Sequence, residues 1–410
     1  MKILRDSRFW WKGALLGIFL AVLWIAAPAG EPRTGPKAIP RPPVTASPDV
    51  IAMRRVHLHR ATRDYPALLA DLQAIADFQS PLLPSQLSTF NLQLSTPDER
   101  LANLYREIAL LYAATDPAAA PEAIQRAIEL DPGLKARLRP LERAIRRAED
   151  ADDPAYLLTL SGRELAALGE WELAEAAFER AVAANPAYAE AWAYLGEARQ
   201  HSRSGNDPLE ALETARTLDP QSVAAHSFLS LYWQRQNDLE TALAHAQAAA
   251  DLAPDTPELL MRLGDLTALN GDLAAGQDLY LRAVATAPDD PDTLRALIAF
   301  NIRYGFDLRE TALPLARHLV IANPRDPASL DVMGEVLLRL GDLSNAERFF
   351  RRALAQDPDF ALAHLHLGDL YRLQGKPQQA YDHYQRVLEL NASEAVRSRA
   401  QEALKTLHGE

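Results

Sequence analysis

Six prolines set a ruler along the second half of this chain. Pro186, Pro220, Pro254, Pro288, Pro324 and Pro358 recur at equal steps, save that the step from Pro288 to Pro324 is slightly longer, and Ala392 takes the next slot. A fixed period of about 34 residues marks stacked supersecondary units, each burying its apolar face against its neighbours, and not one globular core. The 410-residue length is therefore no guide to domain count. Arrays of this kind hold partners more often than they carry out reactions.

Each period reads as two antiparallel helices. In the unit at 155–188, Leu158, Ser161, Gly162 and Leu165 recur at helical spacing. Gly169 breaks the run, and a second stripe follows in Ala174, Phe178 and Ala181. Asn185-Pro186 ends the unit, because proline lacks the helical donor and pushes the residue before it out of the α region. Small residues recur at one place in each helix: Gly162, Gly196, Ser230, Gly264, Gly334 and Gly368 in the first, Ala174, Ala242, Gly276, Ala312, Ala346 and Ala380 in the second. Glycine inside a helix costs about 1 kcal/mol against alanine, so its recurrence predicts close backbone approach.

The pattern resembles the tetratricopeptide repeat, W-x2-L-G-x2-Y, then A-x3-F, then P. The unit at 189 opens Trp192-x2-Leu195-Gly196. The last runs His364-x2-Leu367-Gly368-x2-Tyr371 and then Ala380-x3-Tyr384. The unit at 327 reads Leu330-x2-Met333-Gly334-x2-Leu337, then Ala346-x3-Phe350-x2-Ala353, then Pro358. The resemblance implies an all-α, right-handed α-solenoid of stacked helix-turn-helix repeats. Seven units are expected over 155–394, followed by a C-terminal capping helix over 395–410. A degenerate copy with a basic inserted helix is expected over 101–154, preceded by an irregular helical segment over 49–100. Two units depart from the pattern. Asp207-Pro208 in the second reads as a helix cap and first helical residue. The unit at 291 carries two extra residues, Ile298 for glycine and Leu319 for alanine, and is expected to be the loosest joint.

The amino terminus is different in kind. Residues 1–12 form a basic segment expected on the cytoplasmic side, with Lys2, Arg5, Arg8 and Lys12 ahead of the apolar stretch Gly13–Ala27. The segment 13–29 reads as a transmembrane anchor or a signal peptide. Ala27-Pro28-Ala29 has the small-x-small form of a cleavage site, and cleavage at Ala29–Gly30 would give a secreted protein. Phe9-Trp10-Trp11 and Trp24 suit the two interfaces of a retained span. Seven prolines between Pro28 and Pro48 make 30–48 a semi-rigid linker, reaching on the order of 60 Å at about 3.1 Å per residue. A spacer that holds a domain off a bilayer favours the anchor. Either reading exports the repeats, as a membrane-anchored scaffold or chaperone-like module or as a secreted binding protein. A further alternative is the regulatory subunit of an enzyme on another chain.

Charge is divided along the chain. Residues 1–60 hold ten Lys and Arg against Asp6, Glu31 and Asp49, which leaves 33 basic and 52 acidic side chains beyond, a net of −19. A body this acidic is repelled by phosphate backbones, so no nucleic-acid partner is expected. The chain has no cysteine, which removes disulfides, thiolate chemistry and a lipidated-cysteine anchor. Leu134–Glu149 is locally basic, with Lys135, Arg137, Arg139, Arg143, Arg146 and Arg147 around Leu134, Leu138, Leu141 and Ile145. It suits a membrane surface or an acidic partner. The preferred reading is an inserted helix packing that stripe on the first repeats, since Pro140 interrupts the amphipathic run.

No catalytic residues, cofactor site or metal site stand out. His364 and His366, two apart on a helix, point to nearly opposite sides and cannot share an ion. His226 and His364 hold the place of Trp192 and read as packing residues. The Leu-Gly-Asp phrases recur with the repeat and are no phosphate loop.

The remaining site is the concave face, which in this family is lined mostly by the first helices and holds extended peptides or partner helices. Its register here includes Arg163, Glu197, Leu231, Met261, Asp265, Arg295, Glu335, Leu365, Asp369 and Arg372. The Lys, Asn and Arg clamp of chaperone-linked members is absent. Acids dominate in Glu197, Asp265, Glu335 and Asp369, which points to a protein or peptide partner of basic or mixed charge, with apolar anchors near Leu231, Met261 and Leu365. The bland alternative is a solvated, self-satisfied surface, as Glu335 and Arg339, one helical turn apart, illustrate.

Overall fold

The structure, a computed structural model, describes Arg55, His59, Arg60 and residues 62–77, 97–149, 151–202 and 204–408. The apolar stretch Gly13–Ala27, the linker over 30–48 and the segment 79–96 lie outside the described residues. Every described element is helical.

Among the described residues, four complete α-helices precede the regular array. They are α1 (Tyr65–Asp77), α2 (Pro97–Thr115), α3 (Ala120–Leu130) and α4 (Lys135–Glu149). Helices α2 and α3 form a hairpin, and α4 packs on α5. Leu138, Leu141 and Ile145 of α4 are buried in the same core as Leu158, Leu165 and Phe178 of the first regular unit. Its basic charge is partly spent on the buried Glu142, held by Arg139 and by Arg146 at 3.1 Å. The stripe of α4 thus packs on the repeats, and Pro140 is accommodated within the helix.

Seven hairpins follow: α5 (Pro154–Ala167) with α6 (Trp171–Ala184), α7 (Ala189–His201) with α8 (Pro208–Leu218), α9 (Val223–Arg235) with α10 (Leu239–Leu252), α11 (Pro257–Leu269) with α12 (Leu273–Thr286), α13 (Pro291–Tyr304) with α14 (Leu313–Ala322), α15 (Pro327–Arg339) with α16 (Leu343–Gln356), and α17 (Ala361–Leu373) with α18 (Pro377–Glu389). A final helix, α19 (Glu394–His408), closes the array. Aspartates start many of these helices. Asp153, for instance, accepts from the amides of Ala155 and Tyr156, and Asp326 from those of Ala328 and Ser329. Such caps satisfy donors that the first turn leaves open. The turn inside a unit needs a left-handed residue, supplied by Gly271 at φ 101° and, in the third unit, by Asn237 at φ 61°.

The recurring glycines sit where the two helices of a unit meet. A Cβ on Gly162 would lie 2.6 Å from the Phe178 ring, and one on Gly264 would lie 2.9 Å from both the Gly276 carbonyl oxygen and the Tyr280 ring. The small side of each contact thus makes room for a large residue across it. The unit at 291 inverts this arrangement. Ile298 is fully buried beside Ala312, Ala316 and Leu319 in one core, so bulk has moved from the second helix to the first. Its two extra residues are absorbed in a π turn over Leu308–Ala312, entered through Asp307 at φ 49°. Ile298 stays buried, yet the two helices of this unit touch less than those of any other unit, so the packing leaves the expected looseness standing.

A buried carboxylate ties the lead-in segment to the array. Glu175 is fully buried and receives Arg63 at 3.1 Å, Arg199 at 3.8 Å and the Asn206 amide at 3.1 Å. Burial alone would raise its pKa, but bonds from Ser202, Ser204, Asn206 and Arg63 outweigh that and hold the carboxyl below its ordinary range.

Gly264→Leu should cost about 1–3 kcal/mol or more, because the added side chain meets backbone at the Gly276 carbonyl. Hydrogen exchange should rise around 257–290 while 155–188 keeps its protection. A uniform loss of protection would instead show a single cooperative unit.

Candidate partner-binding groove

Successive first helices lie against one another, α5 on α7, α7 on α9, α13 on α15 and α15 on α17, with each second helix packed between its own first helix and the next one. The first helices therefore line the inner face. Contact is sparsest between α9 and α11.

Along this face the acids are not free. Glu197 on α7 is buried and meets Arg235 on α9 at 3.4 Å, with His201 at 3.0 Å and Gln200 at 2.7 Å also bound to it. Asp265 on α11 receives Arg303 of α13 at 3.0 Å and the Tyr280 hydroxyl at 3.0 Å. Asp369 on α17 receives the Tyr384 hydroxyl at 2.7 Å and Arg399 of α19 at 3.4 Å. The pairs Glu197–Arg235 and Asp265–Arg303 have the same sequence separation, one period plus one helical turn. The same register thus meets across these two joints.

The tightest of these contacts is buried. His366 on α17 places Nδ1 3.0 Å from Asp331 and Nε2 3.8 Å from Glu335, both on α15. Burial would lower the imidazole pKa, but the two carboxylates override it and push it up to about 9. Both ring nitrogens face acceptors, as only the imidazolium can satisfy. Arg339 does not pair with Glu335; it donates to the Ile302 carbonyl at 2.8 Å.

The positions expected to bind a partner are therefore sorted by the structure. Glu197, Asp265, Glu335 and Asp369 are engaged within the array, which removes the stated ground for a basic partner. Arg163 lies 3.5 Å from Glu190 and over the Tyr194 ring, and Arg295 bridges Asp292 and Asp326. Arg372 is exposed and Leu231 and Met261 are half-buried. Leu365 is corrected: it is 1% exposed, in the core with Ala400 and Leu404 of α19, so it cannot anchor a partner. The closing helix occupies the slot of an eighth first helix and covers it.

Two leucines that the sequence reading passed over stand out on this face. Leu269 and Leu373, the last residues of α11 and α17, are 55% and 59% exposed. They hold the register that Arg235 and Arg303 fill elsewhere.

His226, His245, His364 and His383 bond within the array. Trp192 Nε1, His226 Nε2 and His364 Nε2 reach the carbonyls of Pro186, Pro220 and Pro358, at 2.9, 3.1 and 3.0 Å. The Nδ1 atoms of His226 and His364 meet those of His245 and His383 at 3.0 and 2.9 Å. Burial and the neighbouring His364 push His383 down to about 4, keeping it neutral. His364 and His366 face different partners, and among the described residues no group of three candidate ligands gathers around a point.

With the hairpin geometry in view, residues 159–223, 234–291 and 332–395 also match the sequence model of the tetratricopeptide repeat. The array belongs to the tetratricopeptide repeat family. A TPR repeat-containing protein of Pseudomonas aeruginosa is 31% identical over 171 residues, 40% of this chain and 28% of that protein. Cellulose synthase operon protein C of Xanthomonas axonopodis pv. citri is 27% identical over 290 residues, 66% of this chain and 19% of that one. The chain thus spans less than a third of the length of these curated relatives. Among solved structures, a tetratricopeptide repeat protein of Parabacteroides merdae aligns with a TM-score of 0.48 at 12% identity, over 61% of this chain and 99% of that one.

The buried imidazolium gives a pH signature. A folded pKa near 9 against an unfolded value near 6.5 means its stabilisation is complete below pH 6.5 and is lost as pH rises through 9. Thermal melts of the wild type and His366→Asn at pH 6 and pH 9.5 should show the gap between them shrinking by on the order of 2–3 kcal/mol. An unchanged gap would mean that folding leaves the His366 pKa at its ordinary value.

Proposed function

We propose that this protein is an extracytoplasmic interaction scaffold or chaperone-like assembly module, held at a membrane through residues 13–29, that grips a segment of a partner protein along its inner face. A tetratricopeptide repeat scaffold is a protein-interaction fold. The observation that carries the reading is the inner face itself. Its ionic groups are largely tied to the next unit, while Leu269 and Leu373 stand exposed at equivalent places and Leu231 and Met261 are half-buried. Exposed leucines repeated along one face suit an apolar or amphipathic segment.

The membrane part rests on sequence alone. Among the described residues no helix is long and apolar enough to cross a membrane, and the apolar stretch Gly13–Ala27 lies outside them. Its basic flank, its interfacial aromatics and the proline-rich linker behind it support anchoring. Ala27-Pro28-Ala29 supports the second reading, a secreted binding protein of the same kind.

Crosslinking in intact cells followed by carbonate extraction of membranes tests both parts. The chain and its captured partners should stay with the membrane pellet. Leu269→Asp with Leu373→Asp should lose most captured partners while melting within about 0.5 kcal/mol of the wild type, since both side chains are exposed. Unchanged capture would move recognition off the inner face. A soluble form beginning at Gly30 would replace anchoring with secretion.

A further inference from the structure

Equivalent places in different units expose one slot that is incomplete. On α17, His366 is met by Asp331 and Glu335 of the preceding first helix, which stand one turn apart. On α7, Tyr194 holds the same place. It is met by Arg163, which stands to it in sequence as Glu335 stands to His366, in a cation–π contact. On α11 the place belongs to Arg262. The residues in the registers of Asp331 and Glu335 are there Ser227 and Leu231, so no carboxylate comes from those places on α9. Among the described residues Arg262 makes no ion pair, and it donates to the neutral side-chain carbonyl of Gln234 at 3.3 Å.

Its surroundings point the same way. Burial pulls the Arg262 pKa below its ordinary value, with Asp265 and Glu197 acting against that and Arg235 with it. Those two acids lie near enough to act on it but are bound to Arg303 and Arg235, and neither forms an ion pair with Arg262. A guanidinium has five donors and strongly prefers a bidentate carboxylate. The slot also lies at the α9–α11 joint, where first-helix contact is sparsest. Leu231 and Leu269 stand there in the registers at which Glu197–Arg235 and Asp265–Arg303 form ion pairs on either side. The groove thus offers a cation with no carboxylate in ion-pair contact, beside an apolar step and flanked by joints whose charges are already paired.

We propose that Arg262 is the anchor for an acidic side chain of the partner, an Asp or Glu in an extended segment whose neighbouring apolar side chain lies against Leu231 and Leu269. This rests on the inner-face reading above and names the partner's chemistry: acidic and apolar together. The charge it needs is opposite to the one that the acid-rich first helices suggest by sequence. The joints on either side, whose charges are already paired, tolerate uncharged flanks.

The test uses the full chain in mild detergent and three fluorescein-labelled dodecapeptides of equal leucine content, with Glu, Gln or Lys as the only polar residue. Fluorescence anisotropy should show the Glu peptide binding at least tenfold more tightly than the Lys peptide at low salt, a preference that shrinks as salt rises. Arg262→Gln should remove the preference while leaving the Gln peptide within twofold. Arg262→Lys, which keeps the charge and loses the fork, should retain part of it. Leu269→Ser should weaken the Glu and Gln peptides alike. Tightest binding of the Lys peptide, or a Glu preference unmoved by Arg262→Gln, would overturn the proposal and leave the inner-face reading standing. Failure of all three peptides to bind would overturn the proposal, and the inner-face reading would then be judged by crosslinking alone.

Discussion

Everything in this array depends on bringing two helices to backbone contact inside each short repeat unit. That distance is reached only if one partner at the crossing is small, and the space it frees must be filled from the other side. Gly162 under Phe178 and Gly334 under Phe350 solve this in the common way. Ser230 with Ala246 solves it with two modest residues, and Ile298 with Ala316 inverts it. What stays constant from unit to unit is the filled volume, as close-packed interiors require.

Polar groups follow from the stacking. Once the first helices lie side by side, residues about one period apart face each other, and the array places opposite charges there. Glu197 with Arg235, Asp265 with Arg303 and Asp331 with His366 each join two units. The exposed pairs contribute little individually, about 0.2–1 kcal/mol. The buried ones matter more, because removing one partner strands a charge away from water. They fix the register of neighbours as well as their adhesion. Glu175 does the same at the front of the array, gathering Arg63, Arg199 and Asn206 from separate stretches of chain.

Much of this was legible in the sequence because a repeat states its contacts many times. The period, the small-residue crossings and the proline-ended units read directly, and so did the opposite facing of His364 and His366. What the sequence could not give was whether a face position is covered by the next unit. Leu365 sits in the same register as Met261, yet α19 covers one and not the other. Glu197 and Asp265 read as a binding surface because their arginines lie in the following unit, beyond the reach of an i,i+4 search. Ile298 looked like a defect because its compensation, Ala316, lies across the crossing. Counting residues at one period plus one turn would have found the ion pairs, and with them the leucines that interrupt the series beside Arg262.

The central claim is that inner-face acids hold neighbouring units together and are not a reserve of charge for a partner. A double-mutant cycle on Glu197→Gln and Arg235→Gln, read by urea unfolding, tests it most directly. The account predicts a coupling energy between about 0.5 and 3 kcal/mol, together with faster hydrogen exchange at the joint of α7 and α9. Additivity within about 0.3 kcal/mol would contradict it and return these acids to the surface open to a partner.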